Sequence, residues 1–439
     1  MNNEQPTVNH MKPTVLVAQS GGPSPVINAS LQGVVDACRE FPERCGRVLA
    51  AWHGVEGILQ EELLDLSQES PEELHRLKHT PCAGAIGTCR YTLGAHQEQD
   101  FNRIVDVLRA HNVGWFFYIG GNDSMDTAHK VAQLAAARGV ELVVAGVPKT
   151  IDNDIGDQQF RLIDHTPGYG SAARYWACQM QNANEENRGM CTSECVSVYQ
   201  VMGRRSGFLP AAARLGDPQR EMPLQLYLPE SRHTLASLAD NVNVELRRSG
   251  RCMAVVSEGF DVGGLGERRD AFGHVEYGAS ETTVAQVVVN YLNKVGLAAR
   301  GQATGQVPGV LQRDVSLYAS RVDIDEAYEV GRTAVAIAVR DGSGWMATIL
   351  RAPGTVYKAC YDKVPLDAVA NSVRTVPAAW LSKDQLDVTD DFVRYAQPLI
   401  GDEPPAMLHE NGLQRFARLR RVFVDKRLPA YVPECLRQS

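Results

Sequence analysis

The 439-residue chain lacks any apolar run near the roughly 20 residues that a membrane-spanning helix needs. Its opening stretch, MNNEQPTVNHMKPT, is polar and has none of the apolar stretch of a secretory signal. A basic excess is also missing. The formal net charge is -8, which argues against nucleic acid or an anionic membrane as partner. A small anionic substrate stays open, because a few local cations override the global sign. The ten cysteines form no CxxC pair. The closest groupings, Cys82/Cys89 and Cys191/Cys195, have no partners at zinc-like spacing, so free thiols in a reducing cytoplasm are expected instead of a metal cage. There is no GxxxxGK[ST] loop, no internal repeat and no low-complexity segment.

What is present reads as a folded α/β chain. Hydrophobic residues make up 44% and charged residues 22%, and the length implies two domains. TVLVAQSGG (14–22) predicts a strand stopped by glycines, and ASLQGVVDACREF a helix. Phe101, Ile104, Val105 and Leu108 lie on one helical stripe. GWFFYIGGNDS predicts a second strand, MDTAHKVAQLAAARG a helix, and VELVVAGV a third strand that ends at PKTIDND. CVSVYQVMG and RCMAVVSEGF repeat the pattern. The polar, glycine-rich stretch 264–280 reads as a loop or hairpin insertion, and 323–339 as a strong helix. GWMATILR reads as a hairpin strand, and VPLDAVANSV and DDFVRYAQPLIG as further helices. This order implies parallel sheets covered on both faces, with ligands beyond the carboxyl ends of the strands.

Three polar stretches fall at such ends: Gly21-Gly22, Gly120 to Ser124, and Lys149 to Asp154. Glycine pairs let backbone N–H groups approach an anion, although either pair alone is an ordinary tight turn. Asp152 and Asp154 alternate, so an extended segment points both the same way. Two such carboxylates suit a divalent metal, or one of them can take a proton from a hydroxyl. A solvated turn would also produce them. Lys149 adds a cation suited to phosphate. Arg90, Arg204, Arg205 and Arg313 sit in loops, where arginines usually face solvent. From the residues alone, the chain reads as a cytosolic enzyme acting on a phosphorylated metabolite with Mg²⁺.

GGNDS, PKTIDND, MGR and the SEGF strand end occur in an order and spacing that resemble the phosphofructokinase family, and particularly its pyrophosphate-dependent branch. The resemblance implies two three-layer α/β/α (Rossmann-like) domains with the active site in the cleft between them. The first is expected over 11–164 plus 314–360, for the phosphate donor and Mg²⁺. The second is expected over 165–313 plus 361–439, for the sugar phosphate. It also implies the roles. Asp152 would be the base for the 1-hydroxyl of fructose 6-phosphate, and Arg90 and Lys149 would act on the transferring phosphoryl group. Gly21, Gly22, Gly121, Asp123 and Ser124 would hold pyrophosphate with Lys149. Thr150, Met202, Gly203, Arg204, Glu258 and Arg313 would hold the sugar phosphate, Arg313 at its 6-phosphate. Asn122 and Asp154 would support Mg²⁺.

Asp123 and Lys149 stand where the ATP-using members resemble GGDGS and PGTIDND. A carboxylate in place of that glycine opposes a nucleotide's α-phosphate. Two like charges about 4 Å apart repel by about 4 kcal/mol at an effective dielectric near 20, roughly a thousandfold in binding. The first loop, GGPSPVIN, departs from the family's GGDxxGxN but keeps Asn28. Asn122 replaces an aspartate, which implies weaker metal support. Cys195 replaces an arginine that reaches a neighbouring subunit's sugar site. The expected reaction is reversible transfer from pyrophosphate to fructose 6-phosphate, in a cytoplasmic homodimer. The alternatives are an ATP-dependent phosphofructokinase, a non-catalytic regulatory subunit, or a sugar-phosphate-binding protein.

Overall fold

Eleven short runs of β-branched, aromatic and small apolar residues form the strands that place the site. They are β1 (Thr14–Gln19), β2 (Val48–Ala51), β3 (Leu63–Asp65), β4 (Val113–Gly120), β5 (Val143–Pro148), β6 (Val196–Val201), β7 (Leu224–Tyr227), β8 (Cys252–Ser257), β9 (Ala303–Gln306), β10 (Trp345–Arg351) and β11 (Ala359–Pro365). The computed structural model describes residues 12–437 apart from 92, 95, 96, 264–281, 371 and 404–408. The expected insertion at 264–280 therefore lies outside the described residues.

One sheet has the order β11-β10-β5-β4-β1-β2-β3. Its central strands run parallel, and β3 and β11 pair antiparallel at the two edges. Both faces are buried, which is why these strands read as continuous apolar runs. Val15, Val17, Phe117 and Val147 enter one core with the helices Ile27–Glu40 and Arg321–Asp341. Leu16, Ala18, Phe116 and Val144 enter another with the helices Glu98–Ala110 and Asn122–Ala137. The helices Ile27–Glu40 and Arg321–Asp341 cross at two glycines. A Cβ on Gly33 would lie 2.0 Å from the Tyr328 carbonyl oxygen, and one on Gly331 would lie 2.3 Å from that of Ser30. The second sheet, β7-β8-β6-β9, is parallel throughout.

β2 lies on one side of β1 and β4 on the other, so the chain reverses its direction of winding at β1. A crevice opens at such a point beyond the carboxyl ends of the strands. Gly21-Gly22 and Gly120-Gly121 both lie there.

Two expectations for the C-terminal part are corrected. VPLDAVANSV is not a helix throughout: Val364 and Pro365 end β11, and only Leu366–Val369 is helical. Residues 372–377 form no helix, and Arg374 N ties them to the TIDND segment by donating to the Asp154 carbonyl at 2.7 Å. Residues 361–439 also do not all join the second sheet. The helix Asp390–Ile400 packs in that sheet's core, but the tail returns to the first. Val424 N donates to Leu63 O at 2.9 Å and Asp65 N to Val422 O at 2.8 Å. β3 is an edge strand with unpaired backbone groups, and the tail satisfies them.

Candidate active site

The first glycine loop is bound to the loop that carries Arg90. Gly21 has φ +77°, a left-handed conformation natural to glycine. Its N–H donates to Cys89 O at 2.8 Å, and the Thr88 hydroxyl donates to its carbonyl at 2.9 Å. β4 and β5 continue pairing past their ends, with Lys149 N donating to Gly120 O at 3.0 Å. That contact sends the Lys149 side chain under the first loop. Its Nζ donates to Gly22 O at 2.6 Å, and the residue is only 4% exposed.

The next residues alternate as an extended segment should. Ile151, Asn153 and Ile155 are buried, and Asp152 and Asp154 keep partial access to the cleft. Asn153 provides the turn. It has φ +56°, a conformation Asn tolerates better than most residues. Its amide donates to the Tyr395 hydroxyl at 2.8 Å, and its Oδ1 accepts from Thr166 N and Arg374 Nη2. Arg374, fully buried, also donates to the backbone carbonyls of Asn153 and Ile163. The Thr150 hydroxyl accepts from Asp152 N at 3.1 Å and also bonds the Asp154 carboxyl.

Opposite these lie the ends of β6 and β8. Glu258 N donates to Val201 O at 2.8 Å, and Ser257 Oγ donates to Gly203 O at 2.7 Å. The Arg204 backbone passes so close to Gly259 that a Cβ there would lie 2.0 Å from its carbonyl. Arg204 Nε pairs with Glu258 Oε1 at 3.5 Å. Gln312 fixes the short helical turn Leu311–Asp314. Its Oε1 accepts from Met202 N at 3.0 Å and from Trp176 Nε1 at 2.9 Å.

The charges act on one another. Burial, then Arg313, lowers Lys149 to about 7, against the attraction of Asp152. Burial raises Asp152, against the pull of Arg204, Arg313, Lys149 and Arg90. Burial and then Asp152 raise both Asp154 and Glu258 to about 7. Two buried carboxylates that resist ionising together suit a divalent cation, which would relieve their repulsion. Among the described residues no three His, Cys, Asp or Glu side chains form a cage.

The fold thus gathers Gly21, Gly22, Arg90, Lys149, Thr150, Asp152, Asp154, Arg204, Glu258 and Arg313 from six chain segments. Met202 and Gly203 contribute backbone groups beside the ends of β6 and β8, Met202 N to Gln312 and Gly203 O to Ser257. Gly121 precedes the helix Asn122–Ala137, with Asp123 exposed in its first turn and Ser124 buried against Gly120. The Asn122 amide donates to the Ser372 carbonyl. Cys195 is fully buried in the second sheet's core, with its sulfur toward Gln302 O. Sequence reading missed Arg374, Ser372, Tyr395 and Gln312. Arg374, Ser372 and Tyr395 stand in no motif, so no local signal marks them, whereas Gln312 lies in LQR beside Arg313.

The profile of the family described as Phosphofructokinase matches residues 14–337. The pyrophosphate--fructose 6-phosphate 1-phosphotransferase of Xanthomonas campestris is 39% identical over 428 residues, 95% of this chain and 98% of that protein. The enzyme of the same name from Halomonas elongata is 38% identical over 426 residues, 94% of this chain and 98% of that protein. A crystal structure of a pyrophosphate-dependent phosphofructokinase from Marinobacter aquaeolei superposes with a TM-score of 0.85 at 34% identity, covering 96% of this chain and 99% of that one.

Proposed function

Since this chain belongs to the phosphofructokinase family, we propose that it moves a phosphoryl group reversibly from pyrophosphate to the 1-hydroxyl of fructose 6-phosphate, giving fructose 1,6-bisphosphate and phosphate. One observation carries the reading. Asp152 stands where the cations of the donor loops, Lys149 and Arg90, meet the acceptor-side pair Arg204 and Glu258.

Burial that disfavours the ionised form makes Asp152 a stronger base than a solvated aspartate, fit to accept the proton of the 1-hydroxyl. As the sugar oxygen bonds to the outer phosphorus, the bridging P–O bond breaks and phosphate leaves with its electron pair. Lys149 and Arg90 balance the charge on the donor oxygens. Arg204 and Glu258 orient the sugar, and Thr150 holds the two aspartates apart in their working directions. Phosphoryl transfer in this family uses a divalent metal, and Mg²⁺ at Asp154 would neutralise charge on the donor when bound. Asn122 would support it only through the face of its amide that Ser372 leaves open.

Asp123 supports pyrophosphate over ATP. It lies exposed at the start of a helix at the end of β4, where a nucleotide's inner phosphate would meet a carboxylate. No described helix is long and apolar enough to cross a membrane. A cytoplasmic location and a homodimer complete the reading. The test is direct: purified chain with Mg²⁺ and fructose 6-phosphate, given pyrophosphate or ATP in parallel. Turnover with pyrophosphate alone, lost on chelation and restored by Mg²⁺, is expected. Turnover with ATP alone would refute the donor.

A further inference from the structure

The C-terminal tail meets the loop that carries Arg90 through a stack of Arg421, Trp52, His53 and Gly87. Arg421 has φ +60°, in the left-handed region, which a residue other than glycine adopts only where its surroundings hold it. Two hydrogen bonds hold it here. The N–H groups of Arg421 and Arg420 donate to the buried Glu69 carboxylate at 3.0 and 2.8 Å. So directed, the Arg421 guanidinium lies over the Trp52 ring, with Cζ 4.5 Å from its centroid and Nη2 donating to Gly84 O at 3.4 Å. Phe423 adds an edge contact to the same ring at 6.4 Å.

Trp52 passes the contact on. Its ring lies 4.4 Å from that of His53, which is left-handed as well at φ +59° and whose N–H donates to Ile86 O at 2.9 Å. The His53 ring covers Gly87, where a Cβ would fall 2.1 Å from Cδ2. Loop 83–90 is thus held by Arg421 and His53 on one side. On the other, Thr88 and Cys89 bond Gly21 of the first glycine loop. Arg421, Trp52 and His53 are not among the residues gathered at the site, so they bear on it through this loop.

Resting on the pyrophosphate reading above, we propose that Arg421 and His53 are positioning residues for Arg90. The docked tail holds loop 83–90 against Gly21 and so fixes the Arg90 guanidinium toward pyrophosphate. A loop left free to sample other conformations must be ordered by the ligand, and that cost weakens binding. The effect falls on pyrophosphate and spares the sugar phosphate, whose proposed contacts, Arg204 and Glu258, lie beyond the ends of β6 and β8.

The test uses the full chain with Mg²⁺, the variants Arg421→Ala, Arg421→Lys and His53→Ala, and the control Arg437→Ala. Arg437 is another exposed tail arginine over an aromatic ring, Tyr431 at 4.9 Å, but it bonds Val432 and Gln99 instead. Arg421→Ala should raise the pyrophosphate KM about three- to fivefold, the worth of one exposed cation–π contact. His53→Ala, which uncovers Gly87 itself, should raise it about tenfold. Arg421→Lys keeps a charge over Trp52 and should recover part of the loss. The fructose 6-phosphate KM should stay within about twofold of native throughout, and Arg437→Ala should match the native chain in both. Thermal melting is followed alongside, because a purely structural role lowers the melting temperature and leaves both KM values native well below it. That outcome, or equal rises in the two KM values, would overturn the assignment. If His53→Ala does not fold, the exposed Arg421 carries the same comparison. An active native chain whose variants are unaltered sinks this inference alone, whereas a native chain inert toward pyrophosphate overturns the reading and this inference with it.

Discussion

Within TIDND the residues divide their work by burial. Asp152 and Asp154 face the cleft, and Asn153 is enclosed and holds the turn. Asp152→Ala should lower kcat by about 10²–10⁴-fold, the usual worth of a positioned base, with calorimetric binding of fructose 6-phosphate nearly unchanged. A variant that keeps most of its rate would remove Asp152 from the chemistry. Lys149 makes a second claim. Its pKa near 7 means that the empty site loses this cation as pH rises through about 7. A bound polyanion favours the ammonium, so pyrophosphate binding should take up a proton at pH about 8. Calorimetry in buffers of different ionisation heat measures that uptake. The pyrophosphate KM should rise above neutrality in the native chain, and Lys149→Met should flatten the profile.

At the scale of elements, the PKTIDND segment is held from behind by a buried cluster. His165 Nδ1 bonds Asp164 at 2.9 Å and Nε2 bonds Glu326 at 2.7 Å. Arg351 pairs with Asp164, and the Tyr357 hydroxyl donates to Glu326. Tyr395 joins this cluster to the turn, donating to Asp164 O at 2.8 Å while accepting from Asn153. Burial opposes a charge on His165, but the attraction of Glu326 and the hydrogen bonds of Asp164 and Glu326 outweigh it and raise its pKa to about 9. A folded pKa above the unfolded value of about 6.5 stabilises the fold fully below about 6.5, and that contribution is lost as pH rises through about 9. His165→Asn leaves two buried carboxylates without their shared cation. It should cost about 3–5 kcal/mol at neutral pH, measured by denaturant unfolding. The native chain should lose stability between about pH 7 and 9.5, and the variant should show much less of this slope. Equal slopes would mean that His165 is not charged in the fold.

At the scale of the molecule, the C-terminal tail closes the first sheet. Besides its pairing with β3, buried carboxylates receive its backbone. Glu61 accepts from Arg427 N and Leu428 N, and Glu69 from Arg420 N and Arg421 N. The tail also reaches the loop that carries Arg90. Arg421 Cζ stacks 4.5 Å over Trp52, whose neighbour His53 packs against Gly87 in the loop that carries Arg90. Ending the chain after Gly412 should remove about 3–5 kcal/mol of stability, through exposed apolar area on the scale of two buried side chains. It should also bare the β3 edge, so light scattering should rise with protein concentration. A truncated chain that melts within about 1 °C of the full chain and stays monodisperse would show that the tail is dispensable.

The sequence by itself determined the parallel sheets and the strand-end loops, because apolar period and glycine punctuation are local. It also determined the alternation in PKTIDND, which is a property of eight adjacent residues. Only the tertiary structure decided what holds these in place. Arg374 meets Asn153 across 221 residues and Glu61 meets Leu428 across 367, and no window of sequence contains such a pair. The non-helical course of 372–376 and the return of the tail to β3 follow from the same cause. In both, a segment of weak local preference takes the conformation that satisfies a distant element's hydrogen bonds.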